Sequence, residues 1–517
     1  MLRPSLLSRS LLAAGLAGAA LAVSQPACAA GSESGTAPRR PAESRPVAWE
    51  VNWTQLKSAD GAPIGMLGAG ALVAVNDDWG LGPTIYGAAR GDFGGLFVFG
   101  MTGQRRWRLG PNTHLAASFF AGGGGGRSSE SVHFGSGLMI RPELSVRTEF
   151  GRWYAGAGIS HLRFPSGNLS GSQVSLSFGR MGLFDGFDVA GHGVQGEIST
   201  RSGLGFDEVS LSSAVYRPAD SQRTRSGRSM GRNTAVIGAD LRQYFAPGAW
   251  LGLEASGAAK GGIDGYMEVL GTAGQDWEIG RSGLRVGGQL AMGLAGGGDV
   301  STGSGWVWRA GPSIRWQSPW GPAVRMELGK LWSRGTFTAP YLRASLSLPL
   351  EPLKRREAPE ALLGGEVHEQ AMYATLQRIP HVAFKDGSQE GVTQQGLLLV
   401  RSLGAHAYGA AAAGAAVQGK AGAYAYGLFG LGLRSDPLWG SRWRVGGEMM
   451  LGAGGGGGVG LGGGALRQSE AWLQWQGQED YKPLRVRVGV GRWQDLRGRG
   501  ASSSQLNLAL GYAWGTL

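Results

Sequence analysis

The stretch Leu138-Met139-Ile140-Arg141-Pro142-Glu143-Leu144-Ser145-Val146-Arg147-Thr148-Glu149-Phe150 sorts its residues by parity. Even positions hold Leu138, Ile140, Pro142, Leu144, Val146, Thr148 and Phe150. Odd positions hold Met139, Arg141, Glu143, Ser145, Arg147 and Glu149. A strand sends alternate side chains to opposite faces, so this segment predicts one apolar face and one mostly charged or polar face. Its length exceeds that of a common soluble strand and suits a tilted membrane strand of about 9–11 residues with some overhang.

The pattern recurs along the chain. Leu284, Val286, Leu290, Met292 and Leu294 alternate with Arg285, Gln289 and small residues. Val324, Met326 and Leu328 alternate with Arg325 and Glu327, and Leu484, Val486, Val488 and Val490 with Arg485, Arg487 and Gly489. The last such run is Leu506, Leu508, Leu510, Tyr512 and Trp514 against Asn507, Ala509, Gly511 and Ala513. Composition agrees. Of 517 residues 95 are Gly, which disfavours helices, while 18 Trp, 12 Tyr and 16 Phe argue against disorder. A soluble β-sandwich would also alternate. The number of such strands, their aromatic ends and the export signal favour a membrane barrel.

That signal is the first 29 residues. Arg3 and Arg9 form a basic start, Leu11 to Val23 an apolar segment, and Ala27-Cys28-Ala29 a small-x-small cleavage site. The rival is a lipoprotein signal acylated at Cys28, which Gln25 fits poorly. Cleavage after Ala29 removes the one Cys, which excludes a disulfide scaffold and thiolate metal sites. Residues 30–48 read as a flexible lead-in. No run of 18 apolar residues follows, so a membrane-spanning form must be a closed barrel.

In this pattern the chain resembles bacterial outer-membrane β-barrel proteins of the porin kind. The resemblance implies an all-β, antiparallel transmembrane barrel in the bacterial outer membrane. It implies outer-membrane lipid and lipopolysaccharide as surroundings and recognition of the last strand by the barrel-assembly machinery. Members end on an aromatic residue, whereas this chain adds Gly515-Thr516-Leu517 after Trp514. Many porins are acidic; here removal of Arg3 and Arg9 leaves 47 Lys+Arg against 37 Asp+Glu, a balance of +10.

Three stretches share one order of features. Gly95-Leu96-Phe97, Trp107, the Gly122–Gly126 run and Gln173 are followed by Gly265-Tyr266-Met267, Trp277, Gly296–Gly298 and Tyr341. Gly427-Leu428-Phe429, Trp439, Gly454–Gly458 and Gln505 complete the set. Trp107 to Trp277 is 170 residues and Trp277 to Trp439 is 162, which predicts a triplication. The units are 49–181, 206–350 and 366–517, joined by a Gly-rich linker 182–205 and a charged linker 351–365 with room for a short helix. The first unit reads as eight strands starting near Trp49, Ala69, Gly82, Gly95, Thr113, Gly137, Arg152 and Gly171. Three tandem eight-stranded units give about 24 strands, as one wide barrel or as three separate ones. The inward positions hold Arg141, Arg147, Arg285, Arg325, Arg343, Arg485 and Arg487 against Glu143, Glu149 and Glu327. Burying ten charges in packed cores is costly unless they pair, which favours one wide, wet barrel.

Positive excess at the same positions predicts a pore for small or polymeric anionic solutes, with selectivity from lumen arginines. The plainer reading is that these arginines only brace the barrel. The Arg-rich segment Ser221–Arg232 reads as an outer loop, solvated or against lipopolysaccharide phosphates. A structural or surface-binding barrel without transport is the runner-up function, and a lipid-modifying hydrolase the third. The last rests on Ile159–Asn168, which faintly resembles the late strand of eight-stranded lipid A deacylases. There a His and a Ser stand two residues apart, but Arg163 follows His161 at that spacing, and the other units have no matching His. The seven His (114, 133, 161, 192, 368, 381 and 406) form no metal motif, and the Gly runs at Gly122 and Gly454 lack a phosphate-loop Lys. They read as loop or strand-edge flexibility. The expectation is no enzyme activity, no cofactor, no metal and no nucleic-acid partner; oligomeric state is not legible.

Overall fold

The computed structural model describes residues 40–517 apart from 59, 130, 189–193, 231–232, 281, 358–359, 479–481 and 498–501. The signal segment, most of the lead-in, His192 and the end of the Arg-rich loop lie outside the described residues.

A short strand, β1 (Arg40–Pro41), precedes β2 (Glu43–Lys57), β3 (Pro63–Ala74), β4 (Trp79–Arg90), β5 (Phe97–Arg108), β6 (Thr113–Gly125), β7 (Met139–Phe150), β8 (Trp153–Arg163) and β9 (Ser170–Gly186). The linker strand β10 (Gln195–Ile198) leads to β11 (Glu208–Tyr216), β12 (Thr234–Ala246), β13 (Ala249–Lys260), β14 (Met267–Ile279), β15 (Leu284–Gly296), β16 (Trp306–Gln317), β17 (Ala323–Ser333) and β18 (Thr338–Pro349). After helix α1 (Lys354–Glu357) and β19 (Leu363–Glu366) come β20 (His368–Ala383), β21 (Gln389–Ser402), β22 (Ala407–Gln418) and β23 (Ala425–Arg434). The last four are β24 (Trp443–Gly455), β25 (Ala465–Gln476), β26 (Leu484–Asp495) and β27 (Ser502–Thr516).

Every neighbouring pair within a unit is antiparallel, and each unit closes on itself. Strand β2 pairs with β9, β11 with β18, and β20 with β27. The result is three closed eight-stranded barrels. The hydrogen-bond ladder therefore does not run on through 24 strands, as the wide-barrel expectation required. The eight strand starts expected in the first unit each fall within six residues of an observed one. The barrel begins earlier, at Glu43, and β9 runs on to Gly186, so both ends of the first unit are longer than expected.

Alternation decides which side is which. On β7 the residues Arg141, Glu143, Ser145 and Arg147 are buried, while Leu144, Val146 and Phe150 are exposed. The same inversion holds at Ile159, Val174, Leu176, Leu290, Leu328, Val490, Leu506 and Leu508, each about half exposed or more. A soluble sheet hides its apolar face, so this polar-in, apolar-out order belongs to a surface facing lipid.

Each barrel starts and finishes at one end, here the near end. Near-end turns are short; the longest is 435–442. The far end carries the longer connections, up to 217–233. At the near end the linkers pair with one another: β1 lies parallel to β10, and β10 antiparallel to β19. The buried guanidinium of Arg355 donates to the carbonyls of Ser199, Ile198 and Ala361 at 3.0, 2.9 and 2.6 Å. The last residues belong to this joint. Gly515 and Phe187 exchange backbone hydrogen bonds of 2.8 and 2.9 Å, Leu517 is buried with Phe187, Ile198 and Val367, and Trp514 packs on Phe184. Gly515 and Leu517, which follow Trp514, thus pack onto the linkers.

At the far end the glycine runs do a different job from the one expected of them. The turn after the third strand of each barrel meets the end of the fifth strand of the next. A methyl on Gly95 would lie 2.1 Å from the Gly297 nitrogen, and one on Gly455 would lie 2.2 Å from the Gly265 nitrogen. The third joint brings Gly422 within 2.0 Å, by the same measure, of the Gly135 carbonyl, and the Ala423 amide donates to Gly124 at 3.3 Å. Only glycine allows backbone to approach backbone this closely. The runs are contact surfaces between barrels. Side chains reinforce the joints: Arg225 grips Asp92 with bonds of 2.8 and 3.2 Å, and Lys385 meets Asp264 at 2.7 Å.

Candidate functional site

The interior of an eight-stranded barrel is narrow enough for side chains to fill it. Here they do so in two layers. Below the far-end turns, along the strands themselves, the filling is charged. In the second barrel Glu208, Asp240, Glu254, Glu268, Asp276 and Glu327 face Arg242, Arg309, Arg315, Arg325, Arg343 and, from α1, Arg356. The network is continuous between neighbours. Arg315 holds Glu208 at 2.7 and 2.9 Å, Arg242 links Glu208 to Asp240, and Arg343 links Asp240 to Glu254. Arg309 then joins Glu254 to Glu268, which also accepts from Tyr216 at 3.0 Å and Tyr266 at 2.7 Å.

The first and third barrels carry smaller versions. Arg141 pairs with Glu143 at 2.5 Å and Arg147 with Glu50 at 2.6 Å. Arg487 meets Glu448 at 3.1 Å under the rings of Tyr373 and Trp472, and Asn507 and Gln505 hold Glu470. Glu369 is shared by Arg434 at 3.1 Å and Arg485 at 3.7 Å.

All seven arginines expected to face inward therefore have a carboxylate partner. Arg325 pairs with Asp276, Arg343 with Asp240, Glu254 and Glu327, and the half-exposed pair Arg285 and Glu278 stands 3.5 Å apart. Glu149 lies near the barrel edge, 3.4 Å from His114. The positive excess expected from the sequence came from an incomplete tally. It omitted the acids Glu50, Glu208, Asp240, Glu254, Glu268, Asp276, Glu369, Glu448 and Glu470, and also Arg242, Arg309 and Arg315, whose inward placing follows from strand closure.

Toward the far end the filling is apolar and comes largely from the turns. Leu96, Val132, Phe134, Phe164 and Leu169 are buried over the first barrel. Met230, Ile263, Val300 and Phe337 cover the second, and Phe384, Ala421, Tyr424, Val459 and Leu461 the third. Beneath this layer the first barrel keeps a cavity of about 10 Å³, lined by Glu50, Asn52, Tyr86, Arg141 and Glu143, space for about one water.

Two further segments behave differently from expectation. The Arg-rich loop is tied down: beyond the Arg225 grip on Asp92, Arg228 reaches Asp299 at 3.3 Å. His161 does find serines, but across strands. Its Nδ1 is 2.9 Å from Ser172 Oγ and its Nε2 3.3 Å from Ser170 Oγ. The trio stands on the exposed outer face, and the imidazole has no carboxylate among these partners to steady a charged form. Ser166 sits in a turn and bonds Ser136 at 2.7 Å.

No family model and no curated protein matches the chain. Solved structures that it resembles are bacterial outer-membrane barrels. Pseudomonas aeruginosa OccK5 (OpdH) is 10% identical over 92% of this chain and 99% of that one, with a TM-score of 0.23. Acinetobacter baumannii OccAB2 is 10% identical over 91% and 98%, with a TM-score of 0.23. P. aeruginosa OpdK, an outer membrane protein solved with vanillate, is 9% identical over 92% and 99%, with a TM-score of 0.24. At these values the likeness carries no argument about function.

Proposed function

We propose that this chain is an outer-membrane protein of three fused eight-stranded barrels, repeats of one ancestral unit, whose lumens are sealed in the state seen here. It acts through its rims and lipid-facing surface, without enzymatic chemistry. The carrying observation is the apolar layer that far-end turns pack over each charged interior. Water and ions do not cross a dry layer of Phe, Val and Leu without displacing it. Short near-end turns point toward the periplasm and the longer far-end connections outward, the usual order for such barrels.

A second reading, a gated narrow pore, is favoured by the charged interiors beneath the far-end turns. Solutes would pass only after the far-end turns move, and polymers would not fit. Preference for anions would require these arginine pairs to part, since the seven arginines considered above each stand against a carboxylate.

Planar-bilayer recording of the refolded full chain tests both. The sealed reading predicts no stable current steps from protein that still migrates as a folded, heat-modifiable band. Large, lasting steps from the same protein overturn it in favour of the pore.

A further inference from the structure

The outer rim of each barrel repeats one arrangement at the far end. In the second barrel Arg217 directly follows β11, and its amide donates to the Pro340 carbonyl on β18 at 3.0 Å. Pro340 in turn stands opposite Lys330 of β17. Two outward, exposed cations thus flank a small outward residue, two strands apart, or about 10 Å. In the first barrel Lys57 ends β2, and β8 carries His161 opposite Ser172 and Arg163 opposite Ser170 of β9. In the third, Arg378 of β20 stands opposite Leu506 of β27 and Arg492 of β26 opposite Ser504; the Arg378 guanidinium donates to Thr393 of β21 at 3.0 Å and would have to swing back toward β27 to complete the pair. Each time the cations belong to the first and seventh strands of the barrel and the spacer to the eighth.

These strands are not the third and fifth strands that form the far-end joints. They face lipid. The outward neighbours at the same strand ends include Gln55, Ser170, Ser172, Pro340 and Ser504, with no carboxylate among them. Immediately below stand exposed apolar rows: Ile159 and Val174 at 68% exposure, Leu328 and Leu342, and Val490 and Leu506. Both rims carry exposed rings: Trp79, Trp153, Trp277, Trp316 and Trp443 at the near end, with Arg105 and Arg180 over Trp79 and Trp153, and Trp332 under Lys330 at the far end. What singles out the far rim is the repeated placing of cations on the first and seventh strands; cations over an acyl-binding surface suit an anionic headgroup.

We infer that each barrel binds a phosphorylated lipid on its first, eighth and seventh strands, the phosphate between the two cations and the acyl chains on the apolar row beneath. This rests on the membrane reading above, and it selects the outer leaflet, rich in phosphorylated glycolipid, as the layer at the far end.

Native mass spectrometry of the full chain in detergent tests it, with bis-phosphorylated lipid A, dephosphorylated lipid A and inorganic phosphate as separate probes. The expected result is uptake of the phosphorylated lipid, up to one molecule per barrel. Replacing one cation pair (Arg217→Ser with Lys330→Ser) should weaken one site about 30-fold, at roughly a factor of five per cation. Heat-shifted gel migration reports folding of the same variant. Unchanged lipid uptake by a folded variant, or equal uptake of the dephosphorylated lipid, overturns the proposal. Competition by inorganic phosphate at equal concentration overturns the lipid in favour of a free anion. Failure of the wild-type chain to insert into liposomes would instead strike the membrane reading, so the two failures are separable.

Discussion

Arg309 and Glu254 meet side-on inside the second barrel, with two hydrogen bonds of 2.9 and 2.5 Å and almost no exposed surface on either side chain. Glu254 also takes Arg343 at 3.1 Å, so the pair is the crossing point of the charge network. Removing one partner leaves a charge buried without its counter-ion. Glu254→Gln should therefore cost about 3–5 kcal/mol, while the double change Glu254→Met with Arg309→Met should cost clearly less. Urea unfolding in lipid vesicles, followed by tryptophan fluorescence, measures both. Equal losses in the single and double variants would contradict the pairing.

The glycine joint makes a separate prediction. Gly95→Val would drive a side chain into the Gly297 backbone, because even a methyl stands 2.1 Å from its nitrogen. The barrels should stay folded and lose only their mutual contact. Overpacking of this kind costs about 1–3 kcal/mol. With Asp92→Cys and Arg225→Cys added as a reporter of the first joint, positions spanned in the parent by a whole arginine side chain, bridging by a short bis-maleimide should be fast in the parent and slow with Gly95→Val.

Acid should loosen one far-end contact only late. Lys420 donates to Asp386 at 2.6 Å, as does Ser388, and these bonds hold the Asp386 carboxyl well below its ordinary range. A depressed carboxylate stabilises above its unfolded pKa and loses that contribution as pH falls through the folded one. The link between turns 384–388 and 419–424 should thus persist through mild acid and fail only in strong acid. Lys420→Gln should move the Asp386 titration back up, as followed by NMR of the labelled carboxyl.

Strand positions were legible because outward Leu, Val, Ile and Trp recur at period two, as on β7 and β27. The spacing of Trp107, Trp277 and Trp439 also marked like places: the first two lie on the fourth strand of their barrels and Trp439 in the turn after it. What could not be read was which strand closes on which. A β9 edge pairs as well with β11 as with β2 by alternation alone, since both offer the same polar and apolar faces. Long-range pairing also hid the acids. Glu50 lies far from Arg147 in sequence, and only closure of β2 onto β9 brings them within 2.6 Å. The His161 contacts escaped for the same reason, being cross-strand and not along the chain.

Barrel closure is the claim on which the sealed interior depends, and one disulfide reads it. Ser213 and Ala344 are exposed, small and directly paired between β11 and β18. With Cys28 replaced by Ser, Ser213→Cys with Ala344→Cys should cross-link on mild oxidation of the membrane-inserted protein. Ser213→Cys with Leu176→Cys on β9 should not. Cross-linking of the second pair in place of the first would mean that β11 continues the sheet from β9, and that the three barrels are one.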